Sequence, residues 1–157
     1  MPRRSRLAAL VGSGALLLAG AAVAVALTGA DAAKDRITHM KGMGAAAKAI
    51  GDQLKSGAPD PAIVKLNAAK IATSAPQIPT WFPAGSGVEA YPKSEALAVV
   101  WSNPTGFTTK QHALVEAADK LNAVAQAGDM SALGPVMQGV GAACKGCHQT
   151  FKAKDKD

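Results

Sequence analysis

Cys144-Lys145-Gly146-Cys147-His148, close to the C-terminus, falls in a stretch that carries Leu133, Val136, Met137, Val140 and Phe151 at helical spacing. Residues three and four apart share one helix face, with Cβ atoms roughly 5 to 6 Å apart. Two thiols and an imidazole therefore emerge together within about one turn. C-x-x-C-H is the attachment signature of c-type haem. Cys144 and Cys147 would form thioethers with the two vinyl groups, and His148 would send a ring nitrogen to the iron. Other uses of these residues fit less well. A thioredoxin-like C-x-x-C accompanies a βαβ pattern and usually opens a helix. A structural zinc site needs four ligands, and the chain offers no further cysteine and only His39 and His112 besides. A disulfide here would close a very short, strained loop. The expected cofactor is one covalently bound haem c.

The opposite end of the chain agrees. Met1-Pro2-Arg3-Arg4-Ser5-Arg6 is a positive segment, and Leu7 to Leu27 is an uncharged, largely apolar run, the pattern of an export signal. Ala30-Asp31-Ala32 offers an A-x-A-like cleavage site, so residues 1–32 are expected to be a signal peptide and residues 33–157 the folded domain. The competing reading is a retained anchor, because the run approaches the ~20 residues that span a bilayer. Its many Ala and Gly residues make it only mildly hydrophobic. On either reading the domain belongs in the periplasm, and it meets a membrane only if the leader stays.

The 17 basic and 11 acidic residues give a formal charge of +6, and without Arg3, Arg4, Arg6 and Asp31 the totals become 14 and 10, a formal +4. Basic stripes with interleaved aromatics are missing, so nothing points to nucleic acid. Lys152, Lys154 and Lys156 read as a solvated helix end, favourable against the macrodipole. Some ~125 residues suit one domain. Scarce aromatics and abundant Ala favour close helix packing around a large flat cofactor.

Periodicity then orders the chain. Ile37, Met40, Gly44, Ala47, Gly51 and Leu54 mark a first helix over about 33–56, stopped by Ser56-Gly57-Ala58-Pro59. Asp60-Pro61 caps a second, about 60–75, with Ile63, Val64, Asn67 and Ile71 on one side. Residues 76–107, rich in Pro and Gly, should hold little regular structure. Trp81, Phe82, Tyr91, Trp101 and Phe107 lie in this segment, which is expected to fold back onto the bundle. Ala96 to Trp101 fits a short helix or a strand. Thr108 or Thr109 would cap a third helix to about Ala127, with Leu114, Ala117, Leu121 and Val124 as its seam and Gly128 as its stop. The fourth would start near Asp129, or at Pro135 if Gly134-Pro135 breaks it. The expected fold is all-α: an antiparallel four-helix bundle with a long second-to-third crossover and the haem inside.

This pattern resembles the class II c-type cytochromes, the cytochrome c prime group. Arg36-Ile37-Thr38-His39-Met40-Lys41-Gly42-Met43-Gly44 is similar to the R-x-x-x-M-K-x-x-G of that group's low-spin branch, and Phe82-Pro83, Gly85-Ser86-Gly87, Val100-Trp101, Pro104 and Phe107 to its long loop. The resemblance implies that Met40 binds the iron opposite His148. Arg36, one turn before Met40, would place its guanidinium beside a propionate. Met43 is the rival ligand, while His39 and His112 read as surface residues. His/Met ligation closes the coordination sphere and suits one-electron transfer. The function so implied is a carrier, not an enzyme, meeting periplasmic or membrane redox proteins transiently. The alternative is a five-coordinate haem protein that binds nitric oxide or carbon monoxide, and it requires Met40 to stay unbound. The resemblance also raises a homodimer through the first two helices.

Overall fold

The computed structural model describes residues 28–154. The positive segment, the apolar run of the leader and Lys156 lie outside the described residues. Four long helices form the bundle: α1 (Gly29–Lys55), α2 (Pro61–Ser74), α4 (Pro104–Ala127) and α5 (Leu133–Phe151), with a single turn, α3 (Val99–Ser102), in the crossover. The all-α class and the long crossover stand as expected. Helices α1 and α2, then α2 and α4, then α4 and α5 pack closely, whereas α1 and α5 meet only sparsely. That slack side matters for the site.

Local chemistry accounts for the helix ends. Thr28 caps α1 by accepting the Asp31 amide at 3.2 Å, so the helix begins at Gly29, ahead of the expected residue 33. A Cβ at Gly29 would run into the Gly85 carbonyl, so this first turn lies directly under the crossover. Asp60 caps α2 through the Ala62 amide at 2.8 Å with Pro61 at the first helical position, as expected. The third long helix departs from expectation. Asn103, not Thr108 or Thr109, is its cap, accepting the Gly106 amide at 3.0 Å, and Pro104 supplies the preset φ. Gly128 ends that helix in the left-handed region at φ 76°. The last helix starts at Leu133, between the two expected points. Pro135 thus falls in the first turn, where its missing N–H costs nothing.

The crossover is more regular than its composition suggests. A 3₁₀ segment, Ala75–Trp81, continues directly from α2. Ala96 pairs with Lys152 in an isolated antiparallel bridge just before α3 begins, so this short apolar run supplies both a bridge and a helical turn. The aromatics do fold back. Trp101 donates its indole N–H to the Phe82 carbonyl at 3.0 Å, and Phe82 meets Phe107 edge to face at 4.9 Å.

The apolar stripes carry a correction. On α1 the buried residues are Ala32, Ala33, Arg36, Met43, Ala46 and Ile50, while Ile37, Met40, Gly44 and Ala47 of the expected repeat line a cavity that Arg36 and Met43 also line. On α2 the buried line is Val64, Ala68 and Ile71. Ile63 is instead 38% exposed, and Asn67 turns its amide back to the Ile63 carbonyl. On α4 Leu114 and Leu121 are buried as expected, joined by Phe107, Gln111, Ala118 and Ala125. A bundle with a full core would bury one stripe per helix. Here the apolar side of α1 is shared between the core and a cavity.

Candidate functional site

Between α1 and α5 lies a cavity of about 500 Å³. Its size falls within the roughly 300 to 1,000 Å³ of small-molecule and cofactor sites. Helix α1 contributes Met40, Met43 and Gly44, helix α5 contributes Met137, Val140, Cys144, Cys147 and His148, and Phe82, Phe107 and Phe151 close one end. The three residues of the C-x-x-C-H motif that carry chemistry therefore share one wall. The two cysteines are free and half-buried, without a disulfide between them. Burial pushes both thiols above the usual thiol range. For Cys147 the neighbouring Cys144 adds to the rise, and the Lys110 ammonium opposes it.

Arg36 also lines this cavity, and its side chain is 3% exposed. One Nη donates to the Trp81 carbonyl at 3.2 Å and to Ser86 Oγ at 2.9 Å. The other donates to the Ser86 carbonyl at 2.7 Å and to Ser94 Oγ at 3.0 Å. The guanidinium also lies 4.5 Å from the centre of the Phe82 ring. The expectation turns this group to a propionate. In the structure these four hydrogen bonds fasten the crossover to α1, and every acceptor among them is a neutral oxygen.

Met40 is half-buried on the cavity wall. Met43, deeper at 9% exposure, lines the same cavity, so the structure brings both candidate thioethers to it. His39 is exposed and stacks flat on Trp81, ring centres 4.6 Å apart, with Nε2 3.2 Å from an Asp35 oxygen. His112 is exposed as well. Lys152 departs from the solvated end expected of it, pairing with Glu95 at 3.1 Å on the cavity rim.

Sequence reasoning missed Ser86, Ser94 and Gln111. The two serines are buried because they receive Arg36. Gln111 is buried on the cavity wall and donates to the Ala75 carbonyl at 2.9 Å, tying α4 to the end of α2. A polar residue interrupting the Phe107–Leu114 apolar stripe is a readable signal for Gln111. Ser86 stands in the Gly85-Ser86-Gly87 loop match without a role, and nothing local marks Ser94.

The residues present fit a haem. One wall carries two thiols and an imidazole at the required spacing, the other walls are mainly apolar, and a buried cation has no carboxylate among its hydrogen-bond partners. Among the described residues no helix is long and apolar enough to cross a membrane.

Comparison with known proteins agrees with this geometry. The family model described as Cytochrome C' matches residues 31–152. The chain is similar to cytochrome c' of Pararhodospirillum photometricum, 35% identical over 113 residues, which covers 72% of this chain and 89% of that one. It is also similar to cytochrome c-554 of Cereibacter sphaeroides, 42% identical over 77 residues, and there the match spans 50% of the relative's length. The solved structure of cytochrome c' from Thermochromatium tepidum superposes with a TM-score of 0.76 at 25% identity, covering 82% of this chain and all of that one. A ferrous variant of cytochrome c prime from Alcaligenes xylosoxidans with bound NO superposes with a TM-score of 0.73 at 30% identity, covering 82% and 98%. With the family model matching residues 31–152 and the bundle superposing on these structures, the chain belongs to the cytochrome c' family of class II c-type cytochromes and carries one covalent haem c.

Proposed function

We propose that this chain is a periplasmic haem protein, not an enzyme, that takes up a small neutral gas such as nitric oxide or carbon monoxide at an iron held by His148 alone. The observation that supports it best is the likeness over four fifths of the chain to cytochrome c prime, one solved form of which has NO bound. When bound, the haem supplies an iron able to accept a diatomic ligand or a single electron. The chain does the rest. Cys144 and Cys147 fix the ring to α5, His148 sets the proximal side, and the apolar α1 wall excludes water and charged ligands while admitting a small neutral one. Redox proteins of the periplasm or membrane, met transiently, would keep the iron ferrous. Ile63 and Leu66, exposed on α2 at 38% and 57%, offer apolar surface for a homodimer.

One observation favours the second reading, a His/Met-ligated one-electron carrier: the Met40 thioether lies on the cavity wall of α1, facing the helix that holds His148. Spectra of the holoprotein decide between them. The gas-binding reading expects a high-spin ferric spectrum, rapid carbon monoxide uptake by the ferrous form, and a Met40→Ala variant with unchanged spin state. A low-spin ferric form with a weak near-red sulfur-to-iron band, lost in Met40→Ala and kept in Met43→Ala, would establish the carrier instead.

A further inference from the structure

Arg36 is a buried charge in an unusual position. A guanidinium stays protonated in proteins, and burying a charge is costly unless it is paired or well hydrogen-bonded. Here it is hydrogen-bonded without being paired, since Trp81 O, Ser86 O, Ser86 Oγ and Ser94 Oγ are all neutral. Of the opposing charges, Glu89 favours the charged form of Arg36 from a distance, without a hydrogen bond to it. Glu89 lies in the crossover with its carboxylate on the Gly87 amide, and Glu95 is 57% exposed and paired with Lys152. The side chain lines the cavity that the C-x-x-C-H residues line. Few waters can screen it there, and electrostatic effects in such surroundings are larger than at a surface.

We propose that Arg36, besides positioning the crossover, tunes the iron: its buried positive charge, held by the crossover serines beside the cavity, raises the reduction potential. The inference rests on the haem reading of the cavity and deepens it. A fixed positive charge favours the iron state of lower positive charge. When ferric iron gains one electron from an external reductant, no bond at Arg36 is made or broken, and the product is stabilised relative to the reactant. Ferrous iron is the state in which the related NO-bound chain was solved, so this charge would hold the iron ready for ligand.

The test is a spectroelectrochemical titration of purified holoprotein with four variants. Arg36→Gln removes the charge. Ser94→Asp keeps the arginine and places a carboxylate where the 3.0 Å hydrogen bond now ends. Ser94→Ala and Ser86→Ala each loosen the clamp without altering charge. At the wild-type midpoint potential, Arg36→Gln and Ser94→Asp should each shift the ferric-to-ferrous ratio about tenfold toward ferric, a drop of about 59 mV for one electron. The two alanine variants should stay within twofold, even where limited proteolysis shows a looser crossover. The proposal is overturned if Arg36→Gln stays within twofold, or if the alanine variants fall as far as it does. Should Arg36→Gln fail to load haem, Ser94→Asp decides by the same twofold limit. A colourless wild-type protein would sink the haem reading itself, an outcome separate from any shift in potential.

Discussion

The rings of Phe107 and Phe151 meet edge to face, their centres 5.2 Å apart and their planes at 81°. Phe82 extends the row, 4.9 Å from Phe107 at 65°. The crossover, α4 and α5 are thereby joined at one end of the cavity by three aromatic rings. Phe151 follows His148 by three residues, so this packing fixes the register of the helix that carries the C-x-x-C-H motif. Edge-to-face pairs add about 0.5 to 1.5 kcal/mol beyond burial. Phe107→Ala should therefore destabilise the protein by about 3 to 5 kcal/mol, read as a lower urea midpoint at unchanged m-value. Phe107→Leu should cost clearly less. Equal midpoints for wild type and Phe107→Ala would show that the ring row does not stabilise the fold.

Much of this architecture is legible in the chain. The C-x-x-C-H spacing and the threes and fours of α1 and α5 depend on contacts within one turn, so local reading captures them. The same logic finds Ile37, Met40, Gly44 and Ala47 on the apolar side of α1 without revealing that a cavity lies beside them. Periodicity reports which side of a helix is apolar, and it is blind to whether protein or cofactor lies opposite. Asn103 is readable, because an Asn-Pro pair is a helix start, but Thr108 and Thr109 offer a rival cap. The hydrogen bonds of Arg36 span 45 to 58 residues, and no local pattern encodes such separations. His39 lies on the surface as expected, yet its stacking on Trp81 depends on where the crossover lands.

Two glycines should respond oppositely to one substitution. Gly42 sits within α1, where an added Cβ would meet nothing within 4 Å, so Gly42→Ala should stabilise by roughly 0.5 to 1 kcal/mol through helix propensity. Gly128 ends α4 at φ 76°. An alanine there adopts a left-handed conformation at a cost of roughly 1 to 2 kcal/mol. Thermal melts of the two single variants should move in opposite directions relative to wild type. A Gly128→Ala melt at or above that of wild type would show that the αL stop contributes nothing.

Replacing both Cys144 and Cys147 by alanine should abolish covalent haem, seen as a chain mass without the added tetrapyrrole after denaturation. The stability loss should be large as well. The cavity of about 500 Å³ is lined mainly by apolar groups, and without the ring those groups face water or collapse onto one another. Circular dichroism should then show a broader, earlier melt. A sharp, wild-type-like transition would mean that the bundle is complete without its cofactor.

The turn before α5 carries an acid-sensitive contact whose sign can be worked out. Asp129 Oδ1 accepts the Ser131 hydroxyl at 2.6 Å and the Ser131 and Ala132 amides, each at 3.1 Å. These bonds favour the carboxylate, with the Ser131 hydroxyl the largest cause, and hold Asp129 below its ordinary value of 3.8. A carboxyl depressed in the folded state stabilises the fold above the unfolded value, about 3.9, and loses that contribution as pH falls through the folded value. Ala132, the cap of α5, makes no side-chain cap bond of its own, so Asp129 organises the turn that leads into the helix. Asp129→Asn should melt below wild type at neutral pH and converge with it as pH falls through the folded value, where the wild-type carboxyl becomes protonated too. Hydrogen exchange at the Ser131 and Ala132 amides should quicken in wild type, beyond the intrinsic pH effect, over that same fall in pH. Parallel melting profiles for the two proteins between about pH 5 and 2 would show that this carboxylate is not linked to folding.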